Sequence, residues 1–118
     1  MKIKFSNGME LPYIMCYNNG VRFIGDAMRH SRDIVISDDV IGLDELKALL
    51  KNQNNLSVIE VIGADGEAEV LENFVYADEI KDTLKGVIWF TIGEKTALEI
   101  EKEEALLAID TLLMAMEV

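Results

Sequence analysis

Residues 42–67, GLDELKALLKNQNNLSVIEVIGADGE, change their apolar spacing twice within a short span, and few folds accommodate both changes. Leu43, Leu46, Leu49 and Leu50 recur as one helical stripe, with Asp44, Glu45, Lys47 and Lys51 facing away, which predicts a short helix over about 43–52. Gly42 is an acceptable N-cap, Glu45 stands where a capping-box carboxylate belongs, and Asp44 adds a second negative charge at the positive end of the helix dipole. The asparagines of 52–55 stop the helix. Over 56–62 the period becomes two, with Leu56, Val58 and Ile62 on one face and Ile59 and Val61 on the other. A strand apolar on both faces belongs in the interior of a sheet. Asp65-Gly66 then predicts a hairpin turn into a strand at 67–71.

The flanking segments read mostly as strands. Ile3 and Phe5 alternate in the first, Ser6-Asn7-Gly8 turns the chain, and a second strand is expected over 9–17, with Pro12 at a sheet edge or bulge because it cannot donate to a ladder. Asn18-Asn19-Gly20 reads as another tight turn, leading to a strand at 21–24, so the first 24 residues suggest an antiparallel meander. Residues 25–31 look irregular, and 33–37 form a short apolar strand that delivers the chain to the helix. Residues 72–84 read as extended, 87–92 as a strand, and Gly93-Glu94-Lys95 as a turn into a further strand at 96–101. Trp89 and the methionines are expected in the core.

The last element, a helix over about 102–117, carries Ala105, Leu106, Ile109, Leu112, Leu113 and Met116 as one stripe, which Leu107 and Met114 widen well beyond the needs of a surface helix. Between 106 and 116 the polar residues are Asp110 and Thr111. A helix this apolar wants cover on several sides, and 118 residues leave little to supply it, so burial against a neighbouring subunit is the natural outcome. The expected architecture is therefore α+β, a mainly antiparallel β meander with one short central helix and a C-terminal helix. It forms a single domain over 1–118, a sheet body at 1–101 and the helix at 102–118.

Charge separates the two halves. Eleven basic and 22 acidic side chains give a net charge of −11; residues 1–60 hold 7 basic and 8 acidic groups, and residues 61–118 hold 4 and 14. Such a surface repels nucleic acid and anionic lipid, so direct binding to either is not expected. No window of 18 uncharged apolar residues spans a membrane, and the start lacks the apolar region of a signal peptide, which points to a cytoplasmic location. A lone Cys16 forms no internal disulfide and suits a reducing compartment.

Catalytic signatures are weak. Cys16, His30 and Asp33 are the ingredients for a thiol-hydrolase trio, a combination chance supplies in most chains. One His and one Cys are too few for zinc or iron, the calcium-loop pattern fails upstream of Asp65, and the glycines form no phosphate-binding loop, so no cofactor and no enzymatic activity are expected. One cluster stands out. Arg22, Arg29 and Arg32 are all the arginines of the chain, and His30 lies between two of them. They read as surface arginines paired with Asp26 and Asp33, as a docking patch for the acidic half of another copy, or as a site for an anionic small molecule.

The turn in KIKFSNGMEL, the Ser31-Arg32-Asp33 lead into an apolar strand, the helix GLDELKALL, the strand ending at Ala64-Asp65-Gly66 and the later Asn73-Phe74-Val75-Tyr76 resemble small proteins encoded beside tail and baseplate genes in phages and prophages of Gram-positive bacteria. The resemblance covers roughly 2–80 and implies a structural or assembly role without implying any site residue. The expected function is thus non-enzymatic protein–protein association, as a homo-oligomer or with other subunits. Candidate contact residues are Arg22, Arg29, His30, Arg32, Leu106, Leu107, Ile109, Leu113, Met114 and Met116. The alternative is a small acidic inhibitor or decoy that occupies a basic groove on a partner.

Overall fold

The computed structural model describes residues 1–78, 81–84 and 86–116. Part of the segment expected to be extended over 72–84, and the expected helix end at 117, lie outside the described residues. The architecture is α+β, with antiparallel strands divided between two sheets rather than joined in one meander. The first sheet has the order β2-β1-β5-β6, from β1 (Lys2–Lys4), β2 (Glu10–Pro12), β5 (Val58–Ile62) and β6 (Ala68–Glu72). The second runs β3-β4-β9-β7, from β3 (Met15–Ile24), β4 (Ala27–Ser37), β9 (Val87–Gly93) and β7 (Tyr76–Ala77), and β8 (Lys81–Leu84) also pairs with β9.

Three short-range signals act as expected. The Ser6–Gly8 reversal closes with the Gly8 N–H donating to the Phe5 carbonyl at 2.9 Å, and Asn7 Oδ1 accepts from the Met9 N–H at 2.9 Å. Pro12 does lie on an edge strand, where its missing donor costs no ladder bond. Gly66, at φ +82°, turns β5 into β6, and β5 occupies the sheet interior. Ile59 and Val61 face the core while Val58 stays exposed, so the burial of β5 is one-sided.

Elsewhere the chain departs from expectation. The single strand anticipated over 9–17 is cut at Tyr13-Ile14, because β2 finishes in the first sheet and β3 begins in the second. Asn18-Asn19-Gly20 is not a turn. It is a bulge inside β3, with residues 19 and 20 set against Ser31 alone, Gly20 at φ +69° and its N–H on Asn18 Oδ1 at 3.1 Å. The reversal comes at Gly25-Asp26 instead, Gly25 standing at φ +68°, so the stretch expected to be irregular is the first part of an 11-residue strand. Leu56 belongs to a single 3-10 turn, Gln53–Leu56, after α1 (Leu43–Lys51).

One core joins the layers. Ile3, Phe5, Leu11, Ile59, Val61 and Leu71 meet Ile34, Ile36, Ile88, Phe90 and Ile92 of the second sheet, and α1 closes the cluster with Leu46, Leu49 and Leu50. The methionines do not fill it: Met1, Met9, Met15, Met28 and Met114 are exposed. Trp89 is half-buried against Tyr17, ring centroids 5.8 Å apart, on the sheet face away from the core.

The C-terminal helix begins earlier than its apolar stripe suggests. α2 spans Ala97–Met116, so the strand expected over 96–101 is its first turn. From 101 to 115 every residue is exposed. Twenty residues make a rod about 30 Å long, and the molecule measures 59 × 28 × 28 Å.

Two stability outcomes follow from this division. Leu46→Ala, at a fully enclosed site, should lower unfolding free energy by about 2–5 kcal/mol in urea titrations. Removing residues 102–118 should change it by less than about 0.5 kcal/mol and leave the near-ultraviolet signal of Trp89 intact. Loss of that signal would place α2 in the core after all.

Candidate functional site

Two features carry the functional argument, the exposed surface of α2 and the anchor that fixes its base. The anchor is built on Arg29, which is 1% exposed. Its Nε donates to the Ile24 carbonyl at 2.8 Å, and Nη1 reaches the Glu94 carbonyl at 3.3 Å and Glu99 Oε1. Nη2 donates to Asp26 Oδ1 and Glu99 Oε2, both at 3.0 Å. All five guanidinium donors therefore have acceptors, two of them in a fork on one carboxylate. The Tyr76 ring lies under the guanidinium, 3.6 Å from centroid to Cζ, and its hydroxyl donates to Glu99 Oε2 at 2.9 Å.

Local sequence explains why Glu99 is in place. Thr96 and Glu99 form a reciprocal capping box, the Glu99 N–H donating to Thr96 Oγ1 at 3.2 Å and the Thr96 N–H to Glu99 Oε1 at 2.8 Å. The approach is fixed by the Glu94 N–H on the His30 carbonyl at 2.9 Å and the Lys95 N–H on the Asn73 carbonyl at 2.8 Å. Asn73 itself holds φ +68°, a conformation asparagine tolerates. Gly93 lets these parts approach: a Cβ there would stand 2.9 Å from Ile24 Cδ1 and 3.2 Å from Arg29 Cδ. The hydrogen bonds from Arg29, then that from the Thr96 N–H, hold the Glu99 carboxyl well below the usual carboxylate range. The same carboxylate pushes the Tyr76 phenol up.

The structure does not gather the cationic cluster into one patch. Alternation along β4 sends Arg29 to one face and His30 and Arg32 to the other, while Arg22 opposes Arg29 across the hairpin. Arg22 Nη1 is 3.5 Å from both Asp33 Oδ1 and Thr91 Oγ1, and Thr91 Oγ1 donates to Asp33 at 2.6 Å. Arg32 makes a forked pair with Glu69 across the two sheets. His30 is exposed. Arg29 and Arg32 thus meet acids of the second half of their own chain. The trio of Cys16, His30 and Asp33 does not converge either. Cys16 pairs with Ile34 and shares its face, Asp33 lies on the opposite face, and burial pushes the Cys16 thiol up, away from reactivity. Among the described residues no three His, Cys, Asp or Glu side chains are grouped to hold a metal ion.

The helix residues singled out by sequence are brought together as exposed surface. Leu106, Leu107, Ile109, Leu112, Leu113 and Met114 are all more than half exposed, up to 71% at Met114. Met116 occupies the next position of the same stripe. Thr111 Oγ1 turns back to the Leu107 carbonyl at 2.9 Å, so its hydroxyl is satisfied within the helix. A surface this apolar calls for cover from another molecule. Among the described residues no helix is long and apolar enough to cross a membrane. A second, smaller apolar patch sits at the end of the β3–β4 hairpin, where Val21, Phe23 and Met28 are at least half exposed.

Sequence reasoning missed Thr96, Glu99 and Tyr76. The Thr-x-x-Glu signature of a helix start was present at 96–99, although the Leu98 and Ile100 alternation obscured it. No protein-family model, curated protein or solved structure matches the chain.

The anchor makes two predictions. Gly93→Ala should cost about 1–3 kcal/mol, because Ile24 and Arg29 must both move. Glu99 has a folded pKa below its unfolded value of about 4.3, so its contribution is complete above that pH and is lost as pH falls toward the folded value. Glu99→Gln removes the contribution at every pH. The stability gap between the two chains in urea titrations should be constant from pH 7 to about 5 and shrink steadily below about 4.

Proposed function

We propose that this chain is a non-enzymatic structural or assembly protein, of the phage- and prophage-related kind its sequence resembles, that acts by presenting α2 to other protein subunits. The observation that carries the reading is a contrast within one helix. Its base is locked to the sheet by a fully satisfied buried arginine, whereas every residue from 101 to 115 is exposed. Holding a rod this apolar in water is unfavourable unless it is covered, and a rigid base sets the direction in which a partner meets it. The body balances much of its own cationic charge internally, through Arg29–Glu99 and Arg32–Glu69. The remaining surface is acidic and disfavours nucleic acid, which supports a protein as the partner. Such a protein works in the host cell or on the virion.

The test is coexpression with the structural proteins encoded next to it. A complex should form, amide exchange over 101–115 should slow at least tenfold within it, and Leu106→Glu with Leu107→Glu should abolish it while leaving the near-ultraviolet spectrum unchanged. A chain whose residues 101–115 exchange freely in every mixture, including concentrated solutions of itself, would overturn the proposal.

A further inference from the structure

We infer that α2 pairs antiparallel with the α2 of a second copy, end over end, through a seam of Leu106, Ile109 and Leu113. This rests on the association reading above and names its partner. Positions 106, 109, 113 and 116 recur at alternating intervals of three and four, the a and d spacing of a helix–helix seam. The spacing is self-complementary. In an antiparallel pair centred at 111, position 106 is level with 116 of the other copy and 109 with 113, so one two-fold axis satisfies the whole seam.

Charge selects this direction. The first half of α2 carries Glu101, Glu103 and Glu104 on its exposed surface, against Lys102 and against Lys95, which pairs with Glu103 at 3.0 Å and leaves the cluster net negative. A parallel pair would set these acids level with their counterparts on axes 8–10 Å apart. In the antiparallel pair the overlap runs from 106 to 116, and the two Glu103 positions lie about 24 Å apart along the axis at 1.5 Å per residue, beyond the roughly 8 Å screening length of physiological salt. Shape agrees. The molecule is 59 Å long and 28 Å across, and α2 is exposed from 101 onward; an antiparallel pair puts the two bodies at opposite ends, whereas a parallel pair crowds them side by side. The seam and its neighbour Leu112 bring at least eight large apolar side chains into one contact, on the order of the 1,000 Å² total that a specific interface requires. Leu107 and Met114 fall on the opposite side of the helix and stay outside the seam.

The test uses the full chain carrying Cys16→Ser and Lys102→Cys, spin-labelled at residue 102. Light scattering should give the mass of two copies, and the label-to-label distance should be close to 30 Å, from about 27 Å along the axis plus the lateral offset. Leu106→Glu with Leu113→Glu should restore the single-copy mass at least a hundredfold above the wild-type midpoint, whereas Leu107→Glu with Met114→Glu should leave two copies. A distance under about 20 Å, or a mass of three or more copies, overturns the antiparallel pair and leaves the association reading standing. A single-copy mass at every concentration overturns the self-pairing, and the coexpression experiment then decides the association reading by itself.

Discussion

A guanidinium group taken out of water costs several kcal/mol unless every donor finds an acceptor, and at Arg29 every donor does. The acceptors come from four separate places: the end of β3, the Gly25-Asp26 turn, the exit from β9, and the first turn of α2. None of these is close to all the others in sequence. A network of this kind defines the geometry of a junction more sharply than apolar packing does, because a displacement of any one part leaves a buried charge short of a partner. The Tyr76 ring and the absence of a side chain at Gly93 complete the fit, one by covering the guanidinium and the other by making room for it.

How much of this was legible in the sequence depended on the range of the interaction responsible. Hairpins closed by Asn7-Gly8 and Asp65-Gly66, the edge position of Pro12 and the stripe of α1 are set by neighbouring residues, and the sequence states them directly. Asn18-Asn19-Gly20 misled because glycine at positive φ serves a bulge as readily as a turn; what decided between them was the pairing of β4 with β9 across 50 to 62 residues of chain. The division into two sheets has the same origin, since Tyr13-Ile14 carries no conventional break signal. Leu98 and Ile100 alternate like a strand, yet Thr96 and Glu99 satisfy the first turn of a helix, and the second pattern prevailed because it is tied to Arg29. The apolar surface of residues 106–114 was readable throughout, whereas the anchor at its base needs a contact spanning 70 positions.

The lopsided charge of the chain acquires a physical meaning in the fold. Two of its arginines turn toward acids of the second half and hold sheet to helix and sheet to sheet. Further acids, Glu101, Glu103 and Glu104, stand where α2 leaves the body, Glu103 paired with Lys95, just before the helix becomes apolar. In the antiparallel pair proposed above, repulsion there and attraction farther along would act on the same rod and set an overlap length as well as an affinity.

The bulge at residues 18–21 has its own bearing on assembly. β3 is an outer strand of its sheet and ten residues long, the kind of open border that recruits strands from other molecules and grows into fibres. Two residues set against one bend that border and interrupt its row of donors and acceptors, so an incoming strand cannot stay in step along it. Growth by unlimited edge pairing is thereby discouraged along this border.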